Sequence, residues 1–261
     1  SKRIAMQPLS LFDFYRNDDA VDAKAVQFGA SKGGWRLSDD GVIGGYSSGS
    51  AIFLDPFLQH SSNSNNINVD KNKNGAIPFI RWNGNIDTKI GKNSRVKRSG
   101  FCAIRSPDCS LPPFSYGVAF NENYNALEIR CRTDGRMYTV NLKVSTYMED
   151  DLYQGFISVK PGDLPPSSPS VNNSVGGNID DALSTGTSSA SGDWITVIMP
   201  FRDFVLTSGG RQREQQRDLD GAITFQHLGF TLMDEADGPF QFDIGRIRAV
   251  NYEDGKILND V

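Results

Sequence analysis

A chain of 261 residues and 28.7 kDa can form one large domain or two small ones. Its 27 Lys and Arg against 31 Asp and Glu give a net charge of -4 and a pI near 5.2, which argues against a dedicated nucleic-acid binder. Hydrophobic residues at 38% and charged ones at 22% lie in the globular range. No apolar run approaches the roughly 18 residues of a membrane-spanning helix.

Residues 4–30 read as helical, because Asp13 to Val26 sets Phe14, Val21, Ala25 and Val26 among charges at amphipathic spacing. From Trp35 onward, short apolar runs alternate with Gly, Asn, Asp and Pro punctuation. The runs predict strands at Ser50–Leu54, Ile77–Trp82, Gly100–Arg105, Tyr116–Phe120, Leu127–Arg132 and Arg136–Ser145. Further strands are predicted at Gln154–Val159, Trp194–Met199, Gln226–Met233 and Phe240–Val250. Ten short strands with 26 Gly and 12 Pro between and around them describe an all-β, antiparallel sandwich or barrel.

Leu127 to Val144 is the sharpest unit. Leu127, Ile129 and Cys131 alternate with Glu128, Arg130 and Arg132; Tyr138, Val140 and Leu142 alternate with Thr139, Asn141 and Lys143. The Asp134-Gly135 step between them predicts a hairpin, since Gly readily takes positive φ. The six polar residues would then share one sheet face able to grip a partner.

Two excursions interrupt the strands. Asp55 to Gly75 carries a Ser/Asn-rich run, and Pro161 to Asp193 holds no aromatic residue, Lys or Arg. Neither composition buries enough apolar surface to offset ordering. The expectation is one domain over 1–261, its core over about 12–250, with long loops at 55–75 and 161–193. Opening on Ser1-Lys2-Arg3 without Met, the chain reads as a processed or trimmed product.

Chemical motifs are sparse. Cys102, Cys109 and Cys131 form no CxxC pair and suit a reduced compartment, and with only His60 and His227 they show no zinc spacing. Gly45-Tyr46-Ser47-Ser48-Gly49 spells the nucleophile-elbow string but runs into a strand rather than a helix. Asp70 to Gly75 begins like a calcium loop, yet its twelfth position is Arg81 where a bidentate Glu is needed. Neither a cofactor nor a metal is expected. Lys89, Lys92, Arg95, Lys97, Arg98 and Arg105 form a basic strip with no acid between Asp87 and Asp108, suited to an anionic lipid surface or an acidic partner.

Five blocks in order resemble the complex I intermediate-associated protein family. They are Trp35 to Ser47, Arg98 to Ala103, Leu127 to Arg136, Trp194 to Phe204, and Leu228 to Asp234 with Asp237 to Phe240. The resemblance implies a galactose-binding-domain-like jelly roll, and a non-enzymatic role holding a membrane-arm intermediate of complex I on the matrix side of the mitochondrial inner membrane. It implies as partners the assembly intermediates and other assembly factors, with peripheral inner-membrane contact, and neither nucleic acid nor a small-molecule substrate. The residues behind it, Trp35, Asp39, Gly44, Gly45, Ser47, Asp134, Gly135, Trp194, Gly238 and Pro239, read mainly as folding residues, with Trp35 and Trp194 as core anchors. Thr133 stands where the family has Gly.

Candidate partner contacts are Arg130, Arg132, Asn141 and Lys143, and Arg95, Lys97 and Arg98 of the basic strip. Charge reversal at Arg130 and Arg132 together is expected to leave melting nearly unchanged. The alternative is a carbohydrate-binding module of jelly-roll type with Tyr46, Trp82 and Tyr147 as sugar platforms. A third reading is a serine hydrolase built on Ser47.

Overall fold

The computed structural model describes residues 7–14, 27–28, 34–55, 77–90, 99–108, 118–119, 124–146, 148–159, 194–219 and 224–258. In chain order the strands are β1 (Leu9–Phe12), β2 (Gln27–Phe28), β3 (Arg36–Asp39), β4 (Ser48–Leu54), β5 (Phe79–Ile86) and β6 (Cys102–Arg105). They continue as β7 (Val118–Ala119), β8 (Ala126–Thr133), β9 (Tyr138–Val144), β10 (Asp151–Ile157), β11 (Ile195–Pro200) and β12 (Val205–Ser208). The last are β13 (Arg211–Gln212), β14 (Thr224–Leu232), β15 (Gly238–Val250), β16 (Tyr252–Glu253) and β17 (Lys256–Ile257).

Two sheets carry the fold. The first has the order β11-β8-β15-β5-β4, with β1 also on β15; the second runs β13-β12-β10-β9-β14-β6-β3-β2, with β7 also on β14. Among the described residues only the short β2–β3 pair is parallel. The result is an antiparallel jelly-roll β-sandwich. All ten strands expected from alternation are present, with shifted ends.

Each sheet turns its apolar alternate residues inward. Ile80, Trp82, Leu127, Ile129, Cys131, Ile244 and Ile247 of the first sheet meet Ile104, Tyr138, Val140, Leu142, Leu228 and Phe230 of the second, and nearly all are inaccessible. Ring contacts knit the layers: Trp82 lies 5.9 Å from Tyr138 and 5.0 Å from Phe240, and Tyr138 lies 4.5 Å from Phe242. Each such pair adds about 0.5–1.5 kcal/mol beyond area burial. Trp35 is fully buried against Phe12 at 5.3 Å.

Three expectations are corrected here. Leu9–Phe12 and Gln27–Phe28 are strands and not part of a helix over 4–30; Leu11 and Phe12 enter the core, Phe12 in register with Ile247 of β15 and Leu11 at the bulge before it. Residues 15–26 lie outside the described residues. β8 and β9 form no hairpin: β8 pairs with β11 and β15, whereas β9 pairs with β10 and β14. Asp134-Gly135, with Gly135 at φ 89°, is instead a corner that carries the chain from one sheet to the other. The six polar residues therefore occupy opposite outer faces. Trp194 is half-buried, not a core anchor: it precedes Ile195 and so points to the outer side, where it packs on Phe79 at 5.3 Å.

Candidate functional site

The Trp35–Ser47 block folds around one carboxylate. Asp39 caps a single 3-10 turn, Asp40–Ile43, by accepting the Gly41 N–H at 3.0 Å. Gly44 ends that turn at φ 87°, a left-handed conformation that favours glycine. The chain then doubles back over Asp40, and a Cβ on Gly45 would collide with its carboxylate. Asp40 is fully buried and accepts four hydrogen bonds: Ser47 N at 2.8 Å, Ser47 Oγ at 2.9 Å, Ser99 Oγ at 2.7 Å and Gly100 N at 2.5 Å. Burial alone would raise this carboxyl, but the donors from Ser99, Gly100 and Ser47 outweigh it and hold it below the usual carboxylate value.

The remaining blocks are tied in at the same end of the sandwich. Arg136 forks onto Asp234, with Nε–Oδ2 at 2.8 Å and Nη2–Oδ1 at 2.5 Å, and also donates to the Gly238 carbonyl at 3.1 Å and the Pro239 carbonyl at 3.2 Å. Asp134 accepts Arg136 N at 3.0 Å, Tyr138 OH at 3.0 Å and Gln241 N at 2.8 Å. Thr133 fits the corner, because its Oγ1 accepts the Gly135 N–H at 3.1 Å. Asp237 accepts Thr88 N at 2.6 Å, and Asp87 N donates to Ser47 Oγ at 3.1 Å. Loops far apart in sequence thus form one hydrogen-bonded platform, and most of the family-like polar and glycine residues build it.

That platform displays apolar side chains. Val42 is 80% exposed and Tyr46 60%, and Ile90, Met137 and Met233 are also exposed at this end. Register places them together: Asp39 pairs with Cys102, Cys102 with Leu232, Leu232 with Tyr138, and Asn85 with Ser48. Sequence reasoning missed Asp40, Ser99, the Arg136–Asp234 pair and, Tyr46 apart, these exposed residues. The doubled Asp39-Asp40 ahead of Gly44-Gly45 was the signal for the first; the others depend on distant chain segments meeting.

The candidate contacts fall in three places. Arg130 and Arg132 lie on the outer face of the first sheet. Arg132 is committed there: Nη2 lies 2.6 Å from the fully buried Asp243, and its guanidinium stacks 4.6 Å from the Trp194 ring and 4.8 Å from Phe79. Asp243 also takes Arg81 at 2.9 and 3.0 Å, so the residue at the twelfth position of the calcium-like string is an ion-pair partner. The expectation that reversal of Arg132 spares stability is thereby overturned. Arg130 donates to Thr196 Oγ1 at 3.1 Å. Glu128, facing outward beside them, is buried under Arg246 and Arg248.

Asn141 and Lys143 lie on the outer face of the second sheet. Asn141 bridges Gln154 at 2.7 Å and Thr231 at 2.9 Å across three strands, and Lys143 donates to the carbonyls of Glu149 and Asp151. Arg95, Lys97 and Arg98 lie outside the described residues, as do Asp70 to Gly75, His60, Cys109 and Tyr147.

Two of the other readings each lose one of their named supports. Ser47 Oγ donates to Asp40, an arrangement that orders a loop, and among the described residues its hydrogen-bond partners are Asp40 and Asp87 and not an imidazole. Trp82 is fully buried and presents no sugar platform. Burial pushes the Cys102 and Cys131 thiols up to about 12, which makes both poor nucleophiles.

Fold and platform together define a jelly-roll sandwich whose distinctive residues brace loops at one end. The chain belongs to the complex I intermediate-associated protein 30 family, whose model matches residues 25–167 and 181–244. The mitochondrial complex I intermediate-associated protein 30 of Neurospora crassa is 24% identical over 264 residues, covering 99% of this chain and 80% of that protein. The Mus musculus protein of the same name is 24% identical over 240 residues, covering 86% of this chain and 57% of its own length. The chain thus spans little more than half of the mouse relative. Among solved structures, the family 11 carbohydrate-binding module of a Clostridium thermocellum cellulase aligns at TM-score 0.48 and 10% identity, covering 94% of this chain and 96% of that one.

Proposed function

We propose that this protein is a mitochondrial assembly factor for respiratory complex I that works by recognition and not by catalysis. Membership of the family over most of the chain carries the reading. In its finer form, the protein holds a membrane-arm intermediate on the matrix side of the inner membrane, in company with other assembly factors. The braced end suits such work: Val42, Tyr46, Ile90, Met137 and Met233 offer apolar surface without local rearrangement, and pre-ordered loops lower the entropic cost of binding. Arg130 and the Arg95, Lys97 and Arg98 strip are secondary contacts, the strip facing lipid headgroups or acidic partners.

The test is capture of the tagged protein from mitochondria, followed by native separation and mass spectrometry. Incomplete complex I species should co-migrate with it, and the paired substitution Val42→Asp and Tyr46→Asp should release them without lowering the melting temperature. Absence of complex I subunits from the wild-type capture refutes the role. Full retention by the double variant refutes the platform as the contact.

A further inference from the structure

The outer face of the first sheet concentrates arginine. Ile129 and Cys131 of β8 point inward, so Glu128, Arg130 and Arg132 point out. Register sets Arg81 of β5 against Asp243 of β15, Asp243 against Arg132, Arg248 against Glu128, and Thr196 of β11 against Arg130. The β15 ladder slips between Ile244 and Ile247, so Gly245 and Arg246 together face Arg130. Five guanidinium groups thus share one face of the adjacent strands β5, β15 and β8. Within the strands of this sheet the outward acids are Glu128 and Asp243, and both are buried.

Each of those carboxylates is shared. Asp243 takes Arg81 at 2.9 Å and Arg132 at 2.6 Å, and Glu128 takes Arg246 at 3.2 Å and also Arg248. Arg130 donates to the neutral Thr196 hydroxyl. Five arginines against two carboxylates leave this face at +3, within a chain whose net charge is -4. Donors exceed acceptors here as well, since Nε of Arg132 and Nε of Arg246 are buried without a hydrogen-bond partner. The side chains still reach water: Arg246 is 42% exposed, Arg81 31% and Arg132 22%, with Arg130 partly exposed. They are also held in place. A Cβ on Gly245 would come within 3.0 Å of the Trp194 ring, so the indole reaches across β8 to β15, and Arg132 stacks on it at 4.6 Å. Guanidinium groups anchored from below lose little rotamer freedom when a partner arrives.

We propose that this arginine face docks an acidic, extended protein segment. Alternate residues of a strand stand about 7 Å apart, so Arg130 and Arg132 match carboxylates at alternate positions of an extended chain. Arginine forks pair with carboxylates more specifically than lysine does. A lipid surface would draw apolar side chains into it, and of the large, strongly exposed apolar residues described, Ile52, opposite Arg81, is the one on this face. The inference is independent of the assembly role, because complex I species can be captured whether or not an acidic peptide binds here.

The test is titration of the full chain with a hexaglutamate peptide at low ionic strength, read by fluorescence of Trp194, which is half-buried where Trp35 and Trp82 are inaccessible. A saturable change is expected, and it should weaken as salt screens the exposed charges. Arg130→Gln combined with Arg246→Gln should reduce the affinity about fivefold, as the loss of two partly exposed ion pairs implies. Thr196→Glu keeps both arginines but gives Arg130 a carboxylate of its own, and should also weaken the peptide. Arg211→Gln, exposed on the second sheet, should leave it unchanged. No saturable change at millimolar peptide, or equal affinity in wild type and both face variants, overturns the site. Phosphatidylglycerol vesicles that bind through Arg130 and Arg246 where the peptide does not would assign the face to a membrane and overturn it as well.

Discussion

Replacing Asp40 tests whether the family's distinctive residues act in folding. In Asp40→Ala the Ser47 and Gly100 N–H groups lose their acceptors at 2.8 and 2.5 Å inside the protein. Each orphaned donor costs about 1–3 kcal/mol. The serine hydroxyls rotate to other acceptors, Ser47 Oγ already lying 3.3 Å from the Asp87 carbonyl, and add little. The sum is about 4 kcal/mol, a large part of the 5–15 kcal/mol typical of a folded domain. Asp40→Asn should cost about half as much. Its remaining oxygen can serve Ser47 Oγ, Ser99 Oγ and Gly100 N, which share Oδ2, while its amide faces the Ser47 N–H. Because the folded carboxyl titrates below the ordinary Asp value of 3.8, its contribution is complete above that pH and disappears as pH falls through the folded value. The gap between wild type and Asp40→Asn should therefore narrow in acid. Urea unfolding followed by tryptophan fluorescence, with Trp35 and Trp82 as buried reporters, measures all three. An Asp40→Ala midpoint equal to wild type, or a gap that stays constant through acid pH, refutes the reasoning.

Other outcomes follow from the same geometry. Arg132→Glu should destabilise by about 3 kcal/mol, since it strips a charge partner from buried Asp243 and leaves Arg81 alone with it, whereas Arg130→Gln should stay within about 0.5 kcal/mol in the same urea assay. His227 has its pKa lowered from 6.5 to about 4, first by burial and then by Arg105, Lys143 and Arg36 against Asp108. The unfolded chain takes up that proton first on acidification, so stability should fall between about pH 6.5 and 4, and His227→Gln should flatten this limb of a pH series of melting curves. Exchanging residues 161–193 for a Gly/Ser linker of about ten residues should leave the melting temperature unchanged or slightly higher, because closing a shorter loop costs less entropy; a large drop would show that the segment contributes to the core.

Side-chain alternation by itself determined which residues face the interior. Leu127, Ile129, Cys131, Tyr138, Val140 and Leu142 are all inaccessible, and the polar residues between them face out. Period two is a property of the single strand, set by local backbone geometry, so it survives without knowledge of neighbours. Partnership between strands is not local, and only the tertiary structure decided it. Asp134-Gly135 suits a hairpin and a corner equally, and long-range ladders sent β8 and β9 to different sheets. That choice separated Arg132 from Asn141 and Lys143 and set Arg132 on Asp243. Asp40 shows the same division: its type and its glycines were legible, but its donors Ser99 and Gly100 come from a distant loop that sequence spacing does not place. Charges and hydrogen-bond donors act through space over a few ångströms, and it is the pairing of β3, β6, β9 and β14 that sets those distances.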